Sequence, residues 1–113
     1  MNYHNKIFRS IQNTDNGEVS TATEFRYYQK DNVLWADYSG GLIIKGNIIG
    51  TVTPEGLIDM RYQHLSNDQS FKTGSCQSKP EVLEDGRIRL HEHWQWTSGD
   101  LSKGYSIIEE IKQ

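Results

Sequence analysis

The chain has 113 residues, of which 35% are hydrophobic and 24% charged, and this length favours one domain spanning residues 1–113. Six Tyr, three Trp and three Phe argue against intrinsic disorder. The formal net charge of −3 gives no general attraction to phosphate backbones, so nucleic acid is not an expected partner.

Short runs rich in β-branched and aromatic residues alternate with turn-forming residues along the chain. They predict eight strands, in chain order Lys6–Gln12, Thr23–Lys30, Val33–Ser39, Leu42–Val52, Leu57–Leu65, Gln69–Gln77, Arg87–Thr97 and Gly104–Lys112. Turn signals such as Asp15-Asn16-Gly17 and Thr53-Pro54-Glu55-Gly56 separate them, because Gly and Asn accept positive φ and Pro has a fixed φ. No segment shows a convincing helical stripe.

The short connections favour antiparallel pairing of neighbouring strands. An open meander of this kind would leave two strand edges exposed, and closing it removes both. We therefore predict an all-β fold, an antiparallel up-and-down barrel of about eight strands, with a β-sandwich as the competing architecture. A barrel of this size is either filled by side chains or holds one small ligand.

The alternation of side chains along each strand assigns the interior face. The predicted interior rows are Ile7, Arg9 and Ile11 in the first strand; Ile58, Met60, Tyr62 and His64 in the fifth; Ile88, Leu90, Glu92, Trp94 and Trp96 in the seventh; and Tyr105, Ile107, Glu109 and Ile111 in the last. Three charged residues thus fall within otherwise apolar rows.

These three charges are predicted to meet. A hairpin loop over Gly99–Ser102 would set Trp94 opposite Ile107 and Glu92 opposite Glu109, with Cβ atoms ~5 Å apart. Barrel closure would bring Arg9 beside Glu109. We therefore expect an Arg9–Glu109–Glu92 cluster in the interior, in which one arginine cannot neutralise two carboxylates and one glutamate has a raised pKa. The alternatives are a structural ion pair, or a barrel mouth where the glutamates meet water.

The leading functional hypothesis is a barrel that binds a small molecule in its interior. Its pocket is predicted to be lined by Arg9, Tyr62, Glu92, Trp94 and Glu109. One alternative is an enzyme that uses the paired glutamates on a small polar substrate. The other is a structural or interaction barrel with a filled core, whose exposed aromatic side chains contact a second subunit in a homodimer.

Other chemical motifs are weak or missing. The sequence has no P-loop, dinucleotide fingerprint or Ser-centred elbow, so no cofactor is expected. His91 and His93 share the polar face of their strand, whereas His64 falls on the apolar face of its own strand. Zinc needs at least three protein ligands, so no metal site is predicted. Cys76 and His64 can be drawn as a nucleophile–base pair, but nothing in the sequence places them together.

The cellular location is expected to be the cytoplasm. Cys76 is the only cysteine, which excludes an internal disulfide and fits a reducing compartment. The N-terminus has no apolar region typical of a signal peptide. The most apolar stretch, residues 42–49, is interrupted by Lys45 and Gly46, so we expect no transmembrane helix and no membrane partner.

Several stretches resemble a known family. They are Phe8-Arg9-Ser10, Trp35-Ala36-Asp37-Tyr38-Ser39-Gly40-Gly41, Asp59-Met60-Arg61-Tyr62 and Arg89-Leu90-His91-Glu92-His93-Trp94-Gln95-Trp96-Thr97-Ser98-Gly99-Asp100. They are similar to a family of short uncharacterised bacterial proteins, over nearly the whole chain. Members are sometimes labelled N-acetylglutamate synthase, and the resemblance implies an avidin-like or lipocalin-like barrel.

The resemblance carries over no site residues. An acetyltransferase of the common type needs a mixed α/β scaffold and a Gly-rich turn that holds the CoA pyrophosphate, and the sequence has neither. No residues match the biotin-binding pattern of avidins. A fold shared with these proteins does not by itself assign a function.

Overall fold

A computed structural model describes residues 1–112. Their strands are β1 (Lys6–Asn13), β2 (Glu24–Lys30), β3 (Val33–Gly40), β4 (Ile43–Val52), β5 (Ile58–Ser66), β6 (Phe71–Val82), β7 (Ile88–Trp96) and β8 (Lys103–Glu110). Each strand pairs antiparallel with the next, and β8 pairs with β1, so the barrel is closed. The predicted all-β barrel is confirmed. No helix long and apolar enough to cross a bilayer occurs within residues 1–112.

The N-terminal segment covers one end of the barrel. The ring of Tyr3 is fully buried, and its hydroxyl donates a hydrogen bond to the carbonyl of Gly56 at 2.5 Å. The adjacent half of the interior is packed with apolar side chains, each of which stabilises the fold by about 1.5–3 kcal/mol when buried. Its fully buried members include Phe8, Tyr27, Leu34, Ile58, Leu90 and Ile108.

The connection between β1 and β2 covers the opposite end. This segment, residues 14–23, is called the β1–β2 loop below. Asn16 fastens it, because its side chain donates to the carbonyl of Lys103 at 2.8 Å. The carbonyl of Asn16 in turn accepts a hydrogen bond from Trp96 Nε1 at 3.0 Å. The two ends of the barrel are therefore closed by different parts of the chain.

Three interior aromatic rings lie opposite a glycine on the neighbouring strand. The pairs are Tyr38 with Gly46, Tyr62 with Gly74, and Trp94 with Gly104. A Cβ atom on any of these glycines would overlap the paired ring. Each ring therefore leans over the bare backbone of its neighbour and occupies the place of a missing side chain.

The predicted interior faces of β5 and β7 are confirmed, but that of β8 is wrong. Trp94 pairs with Gly104 instead of Ile107, which displaces β8 by three positions from the predicted register. An odd displacement moves every side chain to the other face. Ser106 and Ile108 therefore face the interior, and Glu109 faces outward. The physical reason is that the Trp94 ring fits only beside a residue without a side chain.

The predicted interior face of β1 is also wrong. Phe8 and Ser10 are buried, whereas Arg9 faces outward with 49% of its side chain exposed. Its Nη2 lies 3.5 Å from Oε2 of Glu24. Only one row of a strand can face the core. A phenylalanine ring buries a large apolar area. The row that contains Phe8 therefore faces the interior, and the row that contains Ile7 and Ile11 does not.

The glycine–aromatic packing predicts the effect of one methyl group. Gly74→Ala should lower the free energy of unfolding by about 1–3 kcal/mol, because the added methyl overlaps the ring of Tyr62. In a Tyr62→Leu background the opposing side chain is smaller, so the same substitution should have much less effect. Urea unfolding of the four proteins measures this coupling. Equal effects in both backgrounds would contradict the packing.

Candidate functional site

A cavity of about 50 Å³ lies in the half of the interior next to the β1–β2 loop. At roughly 10–15 Å³ for each water molecule, it has room for about three to five of them. Its walls are mainly aromatic and aliphatic, with Phe25, Tyr38, Ile48, Met60, Tyr62, Trp94 and Trp96. Its polar lining side chains are Asn13, Glu18, His64, Cys76, Glu92 and Ser106. The lining, apolar with a few polar groups, has the composition of small-molecule sites, which are commonly larger, at roughly 300–1,000 Å³.

Glu92 is the buried carboxyl group of this cavity, with 6% of the residue exposed. It accepts hydrogen bonds from the hydroxyls of Ser78 at 2.8 Å and Ser106 at 3.3 Å. Among residues 1–112, no ion pair includes it. Burial raises the pKa of Glu92 to about 7, against the opposing effect of the serine hydroxyls. Near neutral pH the carboxyl group can therefore either donate or accept a hydrogen bond.

Glu18 enters the same cavity from the β1–β2 loop. Its Oε1 accepts hydrogen bonds from His64 Nε2 at 2.9 Å and Ser66 Oγ at 2.5 Å. Its Oε2 lies 2.8 Å from Lys72 Nζ. Burial would raise the pKa of Glu18, but the hydrogen bonds from Lys72, Ser66 and His64 outweigh it and lower the pKa. We call His64, Ser66 and Lys72 the carboxylate cradle.

The hydrogen bonds of His64 determine its tautomer. The ionised carboxylate of Glu18 can only accept, so Nε2 carries the proton. Burial lowers the pKa of His64 more than Glu18 raises it, so the ring is neutral and Nδ1 accepts from the hydroxyl of Tyr38 at 2.8 Å. Cys76 lines the cavity too, but both ring nitrogens are occupied and burial raises the pKa of its thiol. Cys76 and His64 therefore do not form a nucleophile–base pair.

The structure brings together three of the five predicted site residues. Tyr62, Glu92 and Trp94 line the same cavity. Arg9 and Glu109 are neighbours across β1 and β8, as expected from barrel closure, but on the outer face. The predicted interior cluster of Arg9, Glu109 and Glu92 is therefore wrong.

The outer position of Glu109 gives it different partners. Its carboxylate lies 2.6 Å from Arg87 Nη1 and 2.9 Å from Arg89 Nη2. Burial would raise its pKa, but the hydrogen bonds from the two arginines outweigh this and lower the pKa. The expected raised pKa therefore belongs to Glu92 alone, and desolvation causes it, not a second carboxylate.

His64 was predicted to face the interior, but its partners Glu18, Ser66 and Lys72 were missed because they lie in a loop or near strand ends. Glu18 lies in the β1–β2 loop, Ser66 ends β5, and Lys72 lies near the start of β6. Alternation within strands says little about such positions. The available signal was the length of the β1–β2 connection, since a hairpin needs only about two to five residues and a longer loop commonly has a function.

The three histidines considered as metal ligands do not converge. His91 lies on the outer face, where its ring nitrogens are 2.8 Å from the Tyr105 hydroxyl and 2.8 Å from Glu81. His93 shares that face, whereas His64 is inside the barrel. Among residues 1–112, no group of three His, Cys, Asp or Glu residues is placed to hold a metal ion.

Fold and cavity together define a small closed antiparallel barrel with one partly empty end. The sequence model of the avidin-like protein family matches residues 1–111, and the chain belongs to this family. No curated protein and no solved structure is matched by the chain. The avidin-like barrel expected from the sequence is thereby confirmed.

The buried carboxyl group predicts a pH dependence of stability. The folded pKa of Glu92 is about 7 against an ordinary value of 4.5, so its stabilising contribution is complete below pH 4.5 and is lost as pH rises through 7. Glu92→Gln has no such loss. Relative to wild type, the variant should gain up to about 3 kcal/mol between pH 4.5 and pH 8.5, measured by urea unfolding.

Glu109→Gln is the matched control. The pKa of Glu109 is lowered in the folded protein, so its contribution is present above its ordinary pKa and is lost as pH falls. This variant should therefore be less stable than wild type at pH 7, with a smaller difference in acid. If both glutamine variants followed the same trend with pH, the assignment of one glutamate to the interior and one to the surface would be wrong.

Proposed function

We propose that the protein binds one small molecule in the cavity between Glu92 and the β1–β2 loop. The observation that carries this proposal is a carboxyl group buried without a cation in the wall of a cavity. Burial of such a group is unfavourable for its ionised form, so it adds little to a purely structural core. Groups with strongly shifted pKa values inside cavities are concentrated at functional sites.

The walls of the cavity indicate the ligand. Aromatic rings dominate these walls. The ring centroids of Trp94 and Trp96 are 5.5 Å apart, and those of Tyr62 and Trp96 are 5.8 Å apart. A flat apolar body packs well against such rings. Asn13 Oδ1 is buried without a hydrogen-bond partner in the described chain, and Glu92 has a pKa near neutrality. A ligand hydroxyl or N–H can donate to either group.

The same observations favour binding over the alternatives. The predicted enzyme requires two facing glutamates, but Glu92 faces Ser106 and Glu109 lies outside. A barrel with a completely filled core would have no cavity at the loop end. The packed half beside Tyr3 and the partly empty half beside Glu92 fit a rigid scaffold that supports one site.

Cavity filling tests the proposal. Ile48→Phe adds volume to the cavity wall, whereas Ile49→Phe makes the same change at the next position, which faces outward and is 67% exposed. Phenol and indole are the probes, and binding is followed by ligand-observed NMR and by isothermal titration calorimetry. We expect affinity to fall at least about tenfold in Ile48→Phe, about 1.4 kcal/mol, and to be unchanged in Ile49→Phe.

Two results would count against this function. Equal affinities in the two variants would place the probes outside the cavity. No binding of either probe to wild type, together with no bound mass in native mass spectra of protein taken from its source cells, would remove the ligand-binding proposal.

A further inference from the structure

The carboxylate cradle has the construction of a ligand site. Three donors converge on one carboxylate, from His64 Nε2 at 2.9 Å, Ser66 Oγ at 2.5 Å and Lys72 Nζ at 2.8 Å. His64 is only 2% exposed, so its N–H has no ready access to solvent. A neutral donor, a hydroxyl and a cation around two oxygens are complementary to an ionised carboxylate.

The donors are held independently of Glu18. His64 and Ser66 lie on β5 and Lys72 on β6, which pair along their length. The Tyr38 hydroxyl fixes the ring of His64, and Ser70 Oγ lies 3.0 Å from Lys72 Nζ. A binding group on rigid strands with its own supporting contacts keeps its geometry when the bound group leaves.

The carboxylate, in contrast, belongs to the least regular part of the barrel. Glu18 lies in the β1–β2 loop, the longest connection between strands, which contains no strand or helix. Asn16 and Asn13 fasten the loop backbone through other contacts, including 2.7 Å from Asn13 Nδ2 to the Val19 carbonyl. These loop contacts do not depend on the Glu18 side chain, and its rotation out of the cradle would leave them intact.

When Glu18 leaves the cradle, the N–H of His64 loses its hydrogen-bond acceptor. A buried donor left without an acceptor costs about twice the free energy that an average hydrogen bond contributes. The buried N–H of His64 then needs another acceptor, and a second carboxylate supplies it while it also pairs with Lys72, whose side chain is 27% exposed. Glu18 and His64 also line the cavity, so a molecule held in the cradle has its remaining atoms beside the rings of Tyr62 and Trp96.

We propose that the cradle of His64, Ser66 and Lys72 is a carboxylate-binding site that Glu18 occupies in place of the ligand. The natural ligand is then a small monocarboxylic acid, bound after the Glu18 side chain leaves, with its apolar body in the aromatic cavity. This inference rests on the proposed ligand-binding function and names the chemical class of the ligand.

The test replaces the internal carboxylate by an external one. In Glu18→Ala, sodium acetate should raise the melting temperature by about 3–6 °C at concentrations near ten times its dissociation constant, relative to sodium chloride at equal ionic strength. Wild type, whose cradle is occupied, should show no such difference. Glu18→Ala with Lys72→Met should also show none, because the cradle has lost its cation.

A larger pair of probes tests the connection to the cavity. Phenylacetate should bind Glu18→Ala at least about tenfold more tightly than wild type, whereas phenylacetamide, which has the same shape without the charge, should not improve. Glu18→Gln keeps a side chain of the same size in the loop and removes its charge. This variant replaces Glu18→Ala in the test if the alanine variant fails to fold. We expect the same preference for the carboxylate in Glu18→Gln.

The outcomes separate this inference from the proposed function. If phenol and indole enter the cavity but neither acetate nor phenylacetate prefers the Glu18 variants, the cradle is only a contact that holds the loop, and the inference is overturned. If acetate stabilises Glu18→Ala while no probe enters the cavity of any variant, the cradle binds carboxylates and the cavity proposal fails.

Discussion

The fit of a large ring against a bare glycine backbone constrains this barrel more than any other contact. It occurs in three hairpins, at Gly46, Gly74 and Gly104, always opposite an interior aromatic residue. Because a one-position slip would set a side chain against the ring, each pair fixes the register of its hairpin. Register in turn decides which residues of β4, β6 and β8 face the interior.

The cavity follows from the same packing. Rings that lean over neighbouring strands leave the centre of that half of the barrel partly unfilled, and the interior positions near Glu92 carry the short side chains of Cys76, Ser78 and Ser106. Serine hydroxyls satisfy the carboxyl oxygens without supplying positive charge. The result is a carboxyl group whose pKa is set by desolvation, in a space that neighbouring side chains do not fill.

The sequence was sufficient for the eight strands, the closure and the interior rows of β5 and β7, because turn residues and strict alternation carry that information. It failed for β8, where the hairpin register depends on the shape of the Trp94 ring against Gly104. Counting apolar residues cannot detect such a fit. It failed for β1 because the apolar area buried by the single Phe8 ring decides the interior face, although two isoleucines lie on the other row. The position of Glu18 could not be predicted, because alternation within strands carries no information about which way a loop side chain points.

The two carboxyl groups of the cavity differ in what can replace them. Glu92 belongs to the rigid wall, accepts hydrogen bonds from serine hydroxyls, and gains or loses a proton near neutral pH. Glu18 belongs to a loop, is held ionised by Lys72, Ser66 and His64, and raises the pKa of Lys72 in return. Exchange of Glu18 for a free carboxylate leaves the net charge inside the barrel unchanged. A neutral ligand that displaced Glu18 would instead leave the partly exposed Lys72 without its counter-charge. Charge balance therefore favours an acid over an alcohol or amide of the same shape.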